Sequence, residues 1–354
     1  MTPTFHRLKI ADIRKETEDT VSIAFEIPEN LLSDYHYFSG QYLTLRALID
    51  GEDLRRSYSL CSAPMEKEWR VAIKAVEGGK FSNFANTKLT VGDELEVMTP
   101  TGGFKVETNQ SHSKNYVLFA AGSGITPIIS IIKSVLNEEP NSTISFFYGN
   151  KNFSSIIFRE EIEALKNDYM DRLSVIHVLS RESLGNPIQK GRIDADKCPK
   201  LVDTFLKNEN ADEVYVCGPE EMIHAVKDTF SAKGVDPKHI HFELFGTTAK
   251  KVEKTAETEE NIVSNVTVII DGDSIDIALN SNDENVLDAA QKAGADLPFA
   301  CKGGVCCTCK AKILEGTARM DVNYALEADE LAAGYILTCQ AHPTSERLVV
   351  SFDE

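Results

Sequence analysis

Cys301-Lys-Gly-Gly-Val-Cys306-Cys-Thr-Cys309, with Cys339 thirty positions further on, is the stretch from which this chain is best read. Three thiols spaced C-x4-C-x2-C plus a distant fourth are the ligand spacing of a plant-type [2Fe–2S] cluster, in which one tight loop supplies three thiolates. Two glycines let that loop close around a cluster and bring backbone N–H groups within reach of the sulfurs. A zinc site would show two C-x2-C pairs, whereas the second half here offers Cys339 alone. A disulfide framework does not suit a long chain that opens without a secretion-signal pattern. Cys301, Cys306, Cys309 and Cys339 are therefore the expected metal ligands. Cys307 falls where the spacing needs no ligand and reads as a packed or surface thiol. Cys61, Cys198 and Cys217 are scattered, as ordinary buried thiols are.

A cluster of this kind accepts electrons one at a time, so the remaining sequence should hold or meet a source of single electrons. At 354 residues and 42% hydrophobic content, two or three cored domains are expected. No apolar run approaches the ~20 residues that span a bilayer. Met1-Thr-Pro-Thr-Phe-His-Arg7 lacks the apolar stretch of a signal peptide, so a cytoplasmic location is expected. The net charge of −18 argues against a nucleic-acid partner, whose phosphates would repel it. Val263–Glu354 alone holds 15 acidic and 6 basic residues. Acidity around the cluster serves either docking onto a basic partner or plain solubility.

Three textures follow one another along the chain. From Phe5 to about Val106, short alternating runs such as Val21–Ile27, Gln41–Leu45 and Trp69–Val76 are separated by turn residues, including Asp50-Gly51 and Gly78-Gly79. This pattern predicts a small antiparallel barrel. From Tyr116 to Phe245, strand runs at Tyr116–Ala121, Ile144–Tyr148, Leu173–Leu179, Glu213–Cys217 and Ile240–Leu244 alternate with helical stretches near Ile128–Leu136, Arg159–Lys166 and Glu220–Lys233. That rhythm predicts a doubly wound, mostly parallel α/β sheet. Thr247–Asn261 is polar and charged and reads as a linker. A last small domain begins near Ile262, with a strand at Asn265–Ile270 and a helix at Asn285–Ala293.

Two glycine turns sit where that sheet would bind a dinucleotide. Gly122-Ser-Gly124-Ile-Thr126-Pro127 separates a predicted strand from a predicted helix, so its N–H groups would face a pyrophosphate. Proline replaces the usual third glycine and is comfortable in a first helical turn. Cys217-Gly218-Pro-Glu-Glu-Met222 repeats the strand–turn–helix context. In the first domain, Arg55-Arg-Ser-Tyr-Ser59 combines cations, a ring and hydroxyls on one strand, and Gly79-Lys80-Phe81-Ser82 offers a second anion-friendly turn. Each signal alone also fits a purely structural role.

Taken in order, Arg56-x-Tyr58-Ser59, Gly79-x-x-Ser82, Gly122-x-Gly124-x-x-Pro127 and Cys217-Gly-Pro219 resemble the ferredoxin–NADP reductase superfamily over essentially the whole chain. The cluster loop, Met320-Asp-Val-Asn-Tyr-Ala-Leu-Glu327 and Gly334-Tyr-Ile-Leu-Thr-Cys-Gln340 narrow the likeness to reductase subunits of the bacterial phenylacetyl-CoA epoxidase family. The resemblance implies a multidomain architecture. An antiparallel β-barrel binds FAD over residues 1–110, and a doubly wound α/β domain binds NAD(P) over 111–246. A linker occupies 247–261, and an α+β (β-grasp) plant-type ferredoxin domain fills 262–354.

The same likeness implies roles for particular residues. Arg56 would pair with the FAD pyrophosphate, Tyr58 would stack on the isoalloxazine and Ser59 would bond near its N5. Gly79, Lys80, Phe81 and Ser82 would cradle the pyrophosphate. Gly122, Gly124, Thr126, Pro127 and Gly218 would take the nicotinamide dinucleotide, with Cys217 beside the nicotinamide ring. Phe245 would cover the flavin's other face or pack between domains. Ser59, Cys217 and Tyr58 are thus the candidate catalytic residues.

Physical logic agrees with that assembly. NAD(P)H gives two electrons together, the cluster takes one, and a flavin converts between them. Ser180-Arg181 follows Leu173–Leu179 where an adenosine ribose would sit, with Lys190 and Arg192 close behind. No Asp or Glu stands there for a 2′-hydroxyl, so NADPH is favoured over NADH. The expected acceptor is a diiron oxygenase acting on phenylacetyl-CoA. Service to another oxygenase, hydroxylase or desaturase, or passive electron carriage, remain the alternatives.

Overall fold

The computed structural model describes residues 4–206, 210–246 and 262–354; the linker expected at Thr247–Asn261 lies outside them. The first unit is built from β1 (Phe5–Thr17), β2 (Thr20–Glu26), β3 (Tyr42–Ile49), β4 (Glu52–Ser59), β5 (Trp69–Lys74), α1 (Lys80–Thr87) and β6 (Glu94–Met98). Its strands pair in the order β4-β3-β6-β1-β2-β5, all antiparallel. A bridge between Leu60 and Val71 ties the two ends of that order together, which makes the sheet a barrel. Leu8, Ile10, Ile23, Leu43, Leu45, Val71, Ile73 and Val97 fill its centre. The β3–β4 hairpin turns on Asp50-Gly51, both at positive φ, as a two-residue type I′ loop requires.

The second unit comprises β7 (Asn115–Ala121), α2 (Ile125–Glu138), β8 (Thr143–Asn150), α3 (Arg159–Asp168), β9 (Leu173–Leu179), α4 (Lys197–Phe205), β10 (Glu213–Cys217), α5 (Glu220–Ala232) and β11 (Ile240–Glu243). Its five strands are all parallel, in the order β11-β10-β7-β8-β9. Strand order reverses between β7 and β10, so the crevice for a ligand opens beyond their C-terminal ends. Those ends are the two glycine turns. Helix α2 is apolar on nearly every side, as a helix buried all round must be. Some of its polar residues face the barrel: Ser130 Oγ donates to the Ser62 carbonyl at 2.6 Å and lies 2.9 Å from Ser39 Oγ. Lys133 on the same helix donates to the Cys61 carbonyl and pairs with Glu66 at 3.1 Å. These buried bonds seat α2 against the barrel.

The third unit holds β12 (Val263–Ile270), β13 (Asp273–Asn280), α6 (Val286–Lys292), β14 (Lys310–Glu315), β15 (Ala318–Met320), α7 (Ala328–Ala332), β16 (Tyr335–Leu337), β17 (Ala341–Pro343) and β18 (Arg347–Ser351). The mixed sheet β13-β12-β18-β14-β16 pairs β12 parallel to β18, and α6 packs on it through Val286, Leu287 and Ala290. The loop from Ala293 to Cys309 joins α6 to β14 and carries three of the four expected ligands.

Three helices are absent from the sequence reading. Helix α1 reads only as a turn, since Ser, Asn and Thr favour helices little. It forms because Phe81 and Ala85 are buried in the barrel while the Asn86 amide donates to the Ile73 and Ser82 carbonyls at 2.9 Å. Helix α4 carries Pro199 in its first turn, where proline is tolerated. Helix α7 is short and capped by its own acids, Glu327 and Glu330.

Candidate functional site

Strand alternation on β4 separates its side chains. Arg56 is exposed, and its Nη1 donates to the Arg55 carbonyl at 2.7 Å. Tyr58 packs beside the Leu43 backbone partner with its ring 5.8 Å from Phe81, and burial keeps its hydroxyl protonated. Ser59 is buried and points the other way, toward the α/β unit. There its Oγ donates to Glu243 Oε2 at 3.0 Å. Glu243 ends β11 directly opposite Cys217 on β10. Ser59 and Cys217, expected from separate domains, are thus joined by an acid that sequence reasoning gave no role. Burial pushes the Glu243 carboxyl up to about 8, so it holds a proton at neutral pH. Burial also holds the fully enclosed Cys217 thiol protonated. The signal for Glu243 was a lone acid in the otherwise apolar terminal run Phe242-Glu-Leu-Phe245.

At Gly79 the chain enters α1. A Cβ there would lie 2.5 Å from Val76 Cγ2 and 2.6 Å from Ser82 Oγ, so only glycine fits the turn. Ser82 is buried with its hydroxyl on the Gly79 carbonyl at 3.3 Å, and Lys80 pairs with Glu52 at 2.5 Å. The Phe81 side chain lies in the barrel core; the N-terminus of α1 is what Gly79–Ser82 present to a ligand.

The two glycine turns touch. Gly122 has positive φ, its carbonyl accepts from Tyr148 Oη at 3.1 Å, and a Cβ at Gly124 would run into the Cys217 carbonyl. A Cβ at Gly218 would likewise strike Met222 and would lie 3.1 Å from Ala121 Cβ. Thr126 donates to the Ser123 carbonyl at 3.1 Å, and Pro127 is buried in the first turn of α2. This is a cradle any side chain would fill, as a dinucleotide crevice requires. At the sheet's edge, Gly191 N donates to the Leu179 carbonyl at 2.9 Å beside a Leu179–Lys190 bridge. That return brings Lys190 and Arg192 back beside Ser180 and Arg181. Arg181, Lys190 and Arg192 are at least partly exposed, and among the described residues neither arginine has an ion-pair partner. Phe245 is 41% exposed just beyond β11.

In the third unit the four expected ligands converge as two pairs. Cys301 and Cys306 sulfurs lie 3.1 Å apart, and Cys309 faces Cys339. Two pairs of thiols are the donor set of a two-iron cluster, one pair for each iron. Gly303 N donates to Cys301 Sγ at 3.3 Å, and the Gln340 amide reaches Cys339 Sγ at 3.5 Å. Gly304 is at positive φ, and a Cβ there would lie 3.0 Å from Val322 Cγ2 and 3.2 Å from Gln340 Cγ. Cys307 turns away, its thiol on the Ala325 carbonyl at 3.2 Å.

Three family models match consecutive parts of the chain: an oxidoreductase FAD-binding domain over residues 7–106, an oxidoreductase NAD-binding domain over 118–228, and a 2Fe-2S iron-sulfur cluster binding domain over 268–344. One of the subunits of the 1,2-phenylacetyl-CoA epoxidase of Escherichia coli K12 is 43% identical over 99% of this chain and 98% of its own. The chain belongs to the oxygenase-reductase family that includes this relative. The ferredoxin reductase component of 3-ketosteroid-9-alpha-monooxygenase from Rhodococcus rhodochrous is 31% identical over 98% of this chain and 96% of its own. Among solved structures, phthalate dioxygenase reductase shares the fold with a TM-score of 0.58 at 24% identity, covering 98% of both chains.

The reductase therefore joins a FAD domain, a pyridine-nucleotide domain and a [2Fe–2S] domain to deliver electrons to an oxygenase. The cradles at Gly79, at Gly124 and around the paired thiols fit those three groups. No helix among the described residues is long and apolar enough to cross a membrane.

Proposed function

We propose that the reductase draws electrons from NADPH and delivers them to a diiron oxygenase that epoxidises the ring of phenylacetyl-CoA. The observation that carries this reading is the 43% identity, end to end, with part of an enzyme named for that reaction. Bound flavin and cluster would turn one hydride into single electrons.

This chain's residues do the positioning. The N-terminus of α1 at Gly79–Ser82 and the exposed Arg56 would hold the flavin's pyrophosphate, and Tyr58 and Phe245 would pack against its ring. The touching turns at Gly122–Pro127 and Cys217-Gly218 hold the nicotinamide dinucleotide, which sets Cys217 beside the nicotinamide. Burial keeps the Glu243 carboxyl protonated, and Ser59 Oγ, which donates to its Oε2 at 3.0 Å, would link that acid to the flavin's edge as a proton relay. Cys301 with Cys306 and Cys309 with Cys339 would hold the cluster as two thiolate pairs. Arg181 and Arg192, which have no ion-pair partner among the described residues because the adjacent Glu182 carboxylate accepts from Phe153 N at 2.8 Å, would select a 2′-phosphate. Domain limits near 110, 246 and 262 follow from the same reading.

Anaerobic absorbance titration with NADPH and then NADH tests the assignment. NADPH is expected to bleach a flavin band and then a cluster band, with NADH at least about tenfold weaker, as the loss of one charged phosphate contact implies. Arg181→Ala should erase most of that preference. Equal reduction by the two nucleotides would remove the 2′-phosphate role. Reduction by dithionite alone would make the chain a passive carrier. Addition of the purified epoxidase components and phenylacetyl-CoA under oxygen then tests the acceptor, and a ketosteroid oxygenase in their place is the control.

A further inference from the structure

Arg55 belongs to neither the flavin roles nor the nucleotide roles. It precedes Arg56 on β4, and alternation sends the two guanidiniums to opposite faces. The Arg55 side chain is only 5% exposed. Its Cζ lies 4.1 Å from the Phe299 ring centroid and 5.3 Å from that of Phe5. Nη2 is 3.4 Å from Asp53 Oδ2 and 3.5 Å from Asp296 Oδ1, and Nη1 donates to the Leu297 carbonyl at 3.5 Å. Nε finds no hydrogen-bond partner. A cation so enclosed is held by rings and carboxylates on both sides, a setting in which cation–π attraction is strongest. Phe5 and Asp53 belong to the barrel, whereas Asp296, Leu297 and Phe299 lead directly into Cys301.

A second contact lies further along the same face. Tyr42, on β3, is 4% exposed, and Ala300, Cys301 and Cys306 pack against it. Its hydroxyl is 3.1 Å from Thr308 Oγ1, between ligands Cys306 and Cys309. Across the strand pair Tyr42 stands directly opposite Ser59. Opposed residues of an antiparallel pair have Cα atoms about 4.5–5.5 Å apart. The residue that faces the flavin and the residue that faces the cluster loop are therefore immediate neighbours on one hairpin.

We propose that Arg55 and Tyr42 are a latch that seats the cluster loop against the flavin domain and so positions the cluster for electron transfer. The proposal rests on the reading of the chain as a nucleotide-to-oxygenase reductase. Arg55 grips the segment 296–299 through Phe299 and Asp296, and the Tyr42 hydroxyl sets the register of the loop through Thr308. Both act through the loop and touch no reacting atom, so they are positioning residues.

Stopped-flow mixing of the full holoprotein with NADPH follows the flavin and cluster bands separately. In Arg55→Gln the flavin band should bleach at the parent rate while the cluster band slows about tenfold, the effect of one desolvated cation–π contact. Tyr42→Phe, which keeps the ring, should slow the cluster band about fivefold, as one neutral hydrogen bond implies. Combining Arg55→Gln with Phe299→Leu should add little to the slower single variant, because the two partners form one contact. Amide exchange on the resting protein gives a readout free of turnover: Arg55→Gln should speed exchange across 297–300 with the barrel strands unchanged. Parent-like cluster rates, or unchanged exchange at 297–300, overturn the latch. A parent flavin that NADPH leaves unbleached overturns the functional reading instead, and the exchange data then decide the latch by themselves.

Discussion

The cluster cradle and the junction between flavin and nicotinamide domains solve one problem, placing redox groups, in opposite ways. The cradle takes three of its four thiols from nine consecutive residues, Cys301–Cys309, and its backbone N–H groups from the same loop. The junction takes Ser59 from β4, Cys217 from β10 and Glu243 from β11, with the hydrogen-bonded Ser59 and Glu243 standing 184 positions apart. A local site depends on loop chemistry and tolerates domain movement. A distributed site exists only while the barrel and the α/β unit stay packed, which is what the buried serines of α2 and Lys133 accomplish.

The largest effect should come from the local site. Cys309→Ala removes one of four thiolates from a fully enclosed position, and the cluster absorbance should vanish while the flavin band and its reduction by nucleotide persist. Cys307→Ala should leave the cluster in place, because that thiol bonds the Ala325 carbonyl. Loss of the cluster in Cys307→Ala with retention in Cys309→Ala would reassign the ligand set. Loss of nucleotide reduction in Cys309→Ala would break the contrast itself, since the two sites would then not be separable.

A smaller effect, at the distributed site, should follow from one methyl group. Gly124 has an ordinary helical φ of −62°, so Gly124→Ala meets no backbone strain, although as the N-cap of α2 the position gives alanine no propensity gain. The obstacle is the Cys217 carbonyl, which occupies the position the new Cβ would take. Overpacking of this sort costs about 1–3 kcal/mol. The two turns must part, and nucleotide affinity should fall about five- to 150-fold while cluster content stays at the parent level. Isothermal titration with NADP+ reads the affinity. Unchanged binding would show that the crevice does not depend on contact between the turns.

Legibility from sequence followed the same division. The four thiols proposed as ligands could be picked out together because their spacing already brings them to one loop and its partner segment. Leu173–Leu179 and Glu213–Cys217 were read with their observed limits because buried parallel strands are continuous apolar runs. The glycine turns were legible as motifs, but that Gly124 abuts Cys217 is a tertiary fact with no local trace. Glu243 stayed silent because its partners come from other elements, and an acid near a domain's polar tail is ordinarily a solvated one. Arg55 and Arg56 were indistinguishable in composition, and only the pleat of β4 separates them. The helix at Lys80–Thr87 was hidden by residues of poor propensity that the barrel overrides.

Glu243 offers the finest probe of the distributed site. Its folded value of about 8 lies above its ordinary 4.5, so the native state binds a proton that the unfolded chain has released. The sign follows from linkage: this contribution to stability is complete below about pH 4.5 and fades as pH rises to about 8. Glu243→Gln keeps the shape, cannot ionise, and should remove that slope, a change of at most a single proton over this window. Denaturation of parent and variant at several pH values measures it directly. Ser59, Cys217, Tyr42 and Cys307 are the groups around the carboxyl, and burial keeps both thiols and the phenol uncharged in this range, so the difference between the two proteins isolates Glu243. A parent slope that survives the substitution would place the titrating group elsewhere and leave Ser59 without its proton source. A slope that disappears, together with a pH-dependent rate of flavin reduction that flattens in the variant, would tie the stability of the junction to the chemistry it supports.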